Sequence, residues 1–173
     1  MSESFVLTFI GRDKPGIVNA ISEQIAAAGG SWLESRLARL AREFAGIVLI
    51  SAPAEHAESL MAGLRRLEEG GLRIAVARSA APAETWASAV ALNLVGHDRP
   101  GIVRDVTQAL SALGANIESF ASGIESAPFT GETMFRAQAV LHLPEGVTSE
   151  KVRESLERLA DEIMVDLASV EEA

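Results

Sequence analysis

The residues best placed to do chemistry in this chain occur twice. Positions 11–18 read Gly-Arg-Asp-Lys-Pro-Gly-Ile-Val and positions 96–103 read Gly-His-Asp-Arg-Pro-Gly-Ile-Val. Six of the eight positions are identical at an offset of 85, and a seventh exchanges Lys14 for Arg99. Each copy therefore sets a carboxylate, Asp13 or Asp98, beside a cation and a Pro-Gly pair. Such a set can bind a small charged molecule, but it lacks the parts for breaking bonds. No nucleophile stands beside a base, and His97 has no orienting carboxylate beyond Asp98. The chain has no cysteine, which removes thiol chemistry and thiolate metal sites, and His56, His97 and His142 do not form a metal-ligand spacing. No cofactor and no metal is expected.

Positioning these residues requires a strand, a tight loop and a helix. Apolar runs precede each copy, Phe5 to Ile10 and Val90 to Val95, and the second alternates as a half-buried strand does, the first less cleanly. Glycine permits the sharp turn, aspartate is expected to accept from free amides at the helix start, and proline fits a first helical turn. Apolar residues then recur at helical spacing, Ile17, Val18, Ile21 and Ile25 in one copy and Ile102, Val103, Val106, Leu110 and Leu113 in the other, ending at Gly29 and Gly114. Capping and turn formation alone would also account for these residue types.

The rest of the chain follows the repeat. Ser31 to Ala41 and Phe44 to Ala52 read as a hairpin turning at Arg42 and Glu43. Pro53 is expected to open a helix with Ala57, Leu60, Met61, Leu64 and Leu67 on its buried stripe, and a strand from Leu72 to Arg78 closes the half. In the second half, Ala115 to Ile124 and Met134 to Leu143 are paired strands, with Phe135, Ala137, Ala139, Leu141 and Leu143 on one side. Thr148 caps a helix bearing Val152, Leu156, Leu159 and Ile163, and Met164 to Val170 ends the sheet. The connection from Glu125 to Glu132 is longer than its counterpart and is a candidate contact surface. Trp32 and Trp86 read as packing residues.

The order βαββαβ occurs twice, which predicts an α+β fold of two ferredoxin-like domains, each a four-stranded antiparallel sheet with two helices on one face. The expected boundaries are residues 1–80, a linker at 81–85, and residues 86–173. The bare face of each sheet, or a sheet edge, invites pairing, and a homodimer is the expected assembly.

Charge narrows the partners. The net charge is -9, but residues 1–80 carry nine Lys/Arg against nine Asp/Glu and residues 81–173 six against fifteen. An acidic chain without a basic stripe repels a phosphate backbone, so no direct nucleic-acid binding is expected. The sheet also lacks the interleaved aromatic and basic residues that hold RNA bases. No apolar run approaches the roughly 20 residues that span a bilayer, and the start, Met-Ser-Glu-Ser, has no signal-like character, so a cytoplasmic protein is expected.

A βαββαβ unit whose first strand runs into Gly-x-Asp-Arg-Pro-Gly-Ile-Val resembles the ACT domain family, and both halves carry the resemblance. Within that family, two units with nothing attached resemble the repressors of the glycine cleavage system, and the stretch from Glu34 to Leu40 followed by Glu43-Phe44 is similar to the second-strand region of their first domain. The resemblance implies a non-enzymatic regulator that binds a small amino acid, glycine or serine, and acts through a protein partner such as a transcription activator. It implies a ligand held near the loop before the first helix and the start of the second strand, usually where two units meet. The residues carried over are Gly11, Asp13, Lys14, Pro15 and Gly16 in the first half. In the second they are Gly96, His97, Asp98, Arg99, Pro100 and Gly101, with Asn116 and Ile117. Helix-start amides suit an α-carboxylate, and Asp13, Asp98 or the Asn116 side-chain oxygen suits an ammonium. Ser31-Trp32 stands where the second half has Asn116-Ile117, which makes the second site the better one. Two other readings stay open: a ligand-free ACT scaffold for protein contacts, and a small acylphosphatase-type hydrolase using Arg99 and Asn116.

Overall fold

The computed structural model describes residues 1–79, 87–126, 131–159 and 163–170. The expected linker at 81–85, Trp86, and positions 127–130 of the long connection lie outside them. The chain divides into two units, Met1–Pro82 and Ala83–Ala173.

In the first unit, β1 (Ser2–Arg12), α1 (Ile17–Ala27), β2 (Ser31–Leu40), β3 (Glu43–Pro53), α2 (Ala57–Arg66) and β4 (Arg73–Arg78) follow one another. The sheet order is β2-β3-β1-β4, with every neighbouring pair antiparallel. The second unit repeats this as β5 (Ser88–His97), α3 (Ile102–Ala112), β6 (Asn116–Ser126), β7 (Thr133–Leu143), α4 (Ser149–Glu157) and β8 (Met164–Ser169), in sheet order β6-β7-β5-β8. Two ferredoxin-like sheets, each with its pair of helices on one face, are the fold the repeat requires.

Period-two burial selects the faces. Phe5, Leu7 and Phe9 of β1 are buried, so the first strand alternates more cleanly than its sequence suggests, because Val6, Thr8 and Ile10 take the outer face. These residues meet Ile17, Ile21 and Ile25 of α1 and Leu60 and Leu64 of α2 in one core. Val90, Leu92 and Leu94 of β5 and Phe135 to Leu143 of β7 meet Val106, Leu110, Val152 and Leu156 in the other. Trp32 packs partly buried against the first core.

Several expected details move. Val18 and Val103 lie outside the buried stripes, 38% and 41% exposed, because each sits one residue past the buried Ile that opens its helix. The hairpin turns at Ala41-Arg42 rather than Arg42-Glu43, since Glu43 already pairs with Leu40. Ala41 takes φ 54° there. Pro53 ends β3, where it pairs with Ser2, and a short 3-10 turn, Ala54–His56, separates it from α2. Thr148 caps α4 as expected, its hydroxyl accepting from the Lys151 amide.

Candidate functional site

The repeated loops leave the central strands β1 and β5 and enter α1 and α3. Neither aspartate caps its helix. The N-cap residue is Gly16 (φ 93°) in one unit and Gly101 (φ 86°) in the other, with no side-chain cap bond. Proline also stands outside the helix, one residue before that glycine, so Pro-Gly forms a turn and the left-handed glycine delivers the chain into the first helical residue. The left-handed conformation costs an L-residue about 1–2 kcal/mol, which is why glycine occupies both positions. Freed from capping, Asp13 and Asp98 are exposed at the loop while their backbone amides donate to the Arg42 carbonyl at 2.9 Å and the Thr133 carbonyl at 3.0 Å, both on the hairpin beside them.

The cations are engaged differently in the two units. Lys14 Nζ donates to the Gly70 carbonyl at 2.8 Å, where α2 leads towards β4. Arg99 Nη1 donates to Asp105 Oδ2 at 2.7 Å, and Arg104 reaches the other oxygen of that carboxylate through Nε (3.0 Å) and Nη2 (2.8 Å). Hydrogen bonds from Arg99 first, then Arg104, hold the Asp105 carboxyl below its ordinary value. Asp105 thereby fixes Arg99 at the loop.

Beside this loop the second unit has an open hollow of about 420 Å³. Asp98 and Arg99 line it together with the apolar Ile102 and Phe135 and with Ser122 and Ile124 of the edge strand β6. It presents a carboxylate, a guanidinium and an apolar surface together, the combination that an amino-acid zwitterion with its carbon frame would meet.

Gly96, His97, Asp98, Arg99, Pro100 and Gly101 are thus brought together at one end of the sheet, as are Gly11, Asp13, Lys14, Pro15 and Gly16 in the first unit. Asn116 and Ile117 are not. Asn116 pairs with His142, whereas His97, the last residue before the loop, pairs with Met134, eight residues earlier in β7 and so roughly 26 Å away. In a βαββαβ sheet the second strand runs parallel to the first, so its start lies opposite the loop that follows the first. The hydrolase reading needs Arg99 and Asn116 in one place, and a single unit does not provide it.

Ser122 and Ile124, which line the hollow, and Asp105 and Arg104, which are bonded in a chain behind Arg99, escape a reading centred on the repeated octapeptide. The offset of 85 carries a signal for the first two, since it sets Ser122 and Ile124 against Leu37 and Arg39.

Residues 3–76 and residues 90–161 each match the ACT domain. The chain belongs to the ACT domain family, as two such units in tandem. It is similar to the glycine cleavage system transcriptional repressor of Escherichia coli (strain K12), 27% identical over 161 residues that cover 91% of this chain and 84% of the relative. Among solved structures it resembles an unknown protein from Galdieria sulphuraria, with a TM-score of 0.87 and 30% identity over 98% of this chain and 99% of that one. It also shares its fold with a protein provisionally assigned as a glycine cleavage system transcriptional repressor, with a TM-score of 0.70 and 20% identity over 98% and 99% of the two chains. Among the described residues no helix is long and apolar enough to cross a membrane.

Proposed function

We propose that this protein is a non-catalytic sensor of a small amino acid that regulates glycine cleavage or a related branch of amino-acid metabolism, working in the cytoplasm through a protein partner. One observation carries the reading: Asp98 and Arg99 line the same hollow as the apolar side chains of Ile102 and Phe135. An ammonium suits the exposed carboxylate, an α-carboxylate suits the guanidinium, and the walls suit carbon. The similarity to a repressor over nine-tenths of the chain supports the regulatory role. Glycine and serine are the ligands that this relationship favours.

Asn116 enters this reading only through a second copy of the chain. A ligand touching both the loop and Asn116 bridges two copies, and a symmetric dimer is the simplest closed arrangement that supplies both ends. The acidic charge of residues 81–173 favours a protein partner over direct contact with nucleic acid.

A thermal-shift screen of the full chain against the twenty amino acids tests the reading. A ligand at a hundred times its dissociation constant adds about 2.7 kcal/mol to stability, enough for an evident rise in Tm. A rise with glycine or serine supports the sensor, and no rise with any amino acid contradicts it.

A further inference from the structure

The two units share a fold and a loop, but the surfaces beside the loops have diverged. In the first unit Leu37 of the edge strand β2 pairs with Gly46, which in turn pairs with Phe9. The Leu37 side chain and the Phe9 ring both lie against Gly46 so closely that a Cβ added there would collide with them. In the second unit the corresponding row is Ser122, Ala137 and Leu94. Two large side chains, leucine and phenylalanine, are thus replaced by serine and leucine, while glycine gains only one methyl. Ser122 lines the hollow.

The charged residues diverge in the same direction. Two positions along the edge strand from Leu37, Arg39 approaches Asp13 to 3.8 Å. Its counterpart is Ile124, which is 64% exposed and lines the hollow. Asp98 therefore faces no cation from the edge strand at the place where Asp13 faces Arg39. In the first unit a carboxylate that could hold an ammonium already has a guanidinium beside it, and Leu37 covers the surface that the ligand's carbon frame would touch.

We propose that the chain carries one working amino-acid site, in the second unit, and that the first unit's equivalent is closed by its own Leu37 and Arg39. This rests on the sensor reading above. Ser122 and Leu37 are the positions that open and close the site. They do so by volume.

Calorimetric titration of the full chain with glycine, and with each of the other amino acids in turn, tests this. Wild type is expected to bind one amino acid per chain. Ser122→Leu, which copies the first unit's side chain onto an exposed position, is expected to weaken binding at least tenfold, and Ser122→Ala to leave it within about twofold. Asp98→Ala, also at an exposed position, is expected to weaken it at least tenfold, and it decides the matter should the leucine variant fold poorly. The double variant Leu37→Ser with Arg39→Ile is expected to raise the stoichiometry above one. Two equal sites in wild type, or wild-type affinity in folded Ser122→Leu, overturns the proposal while leaving the sensor reading intact, whereas wild-type affinity in Asp98→Ala overturns the proposal and also removes the observation on which the sensor reading rests. Absence of binding by every amino acid overturns both.

Discussion

Asp105 shows how a single side chain sets the state of the candidate site. Its two oxygens are taken by Arg99 and Arg104, and both pairings favour its charged form. Because its carboxyl titrates lower in the folded protein than its ordinary value of 3.8, these pairings stabilise the fold fully above that value. Their contribution is lost as pH falls through the lower, folded value. Asp105→Asn is expected to lower Tm slightly at pH 6, with the difference from wild type closing as pH falls below 3.8 and through the lower, folded value. A second residue-scale test concerns the loop itself. A Cβ at Gly16 meets nothing within 4 Å, so Gly16→Ala probes the backbone alone and is expected to cost about 1–2 kcal/mol in denaturant unfolding. The octapeptide was legible as a loop before a helix, but the role of its aspartate was not. Aspartate, proline and glycine are equally at home in a cap or a turn, and only the glycine φ angles decide between them.

Among the elements, strands with one face in the core were the most readable. β7 alternates Phe135, Ala137, Ala139, Leu141 and Leu143 with Arg136, Gln138, Val140 and His142, and those first five residues are buried. Edge strands were less so, because β2 and β6 bury little and their side-chain types carry weak periodicity. That is why Leu37 and Ser122 drew no notice in the sequence. The β2–β3 hairpin offers an element-scale test. Ala41 holds φ 54°, a conformation that glycine adopts freely, so Ala41→Gly is expected to stabilise the first unit by up to about 1 kcal/mol. Thr148→Ala, which removes the α4 cap, is expected to destabilise by about 1 kcal/mol, read as a lower denaturant midpoint at unchanged slope. The position of Asn116 belongs to this scale as well. The repeat offset identifies equivalent residues but does not say which end of a sheet they occupy, and strand direction separates Asn116 from Asp98.

At the scale of the molecule, the two cores share no residue among the described residues. Leu60→Ala, at a fully buried position of the first core, is expected to cost about 2–5 kcal/mol there while hydrogen-exchange protection in β5 and β7 stays unchanged. Such independence lets one copy of a duplicated unit keep a ligand while the other loses it.

The central claim, that a free amino acid binds at the β5–α3 loop, is tested most directly by an amide NMR titration of the full chain with the amino acid that gives the largest thermal shift, or with glycine and serine if none does. Saturable shifts are expected at the amides of residues 98, 99 and 101–103 and at Ser122 to Ile124, with residues 13, 14 and 16–18 unmoved. Spectra that stay unchanged in both loops at millimolar amino acid would contradict the claim.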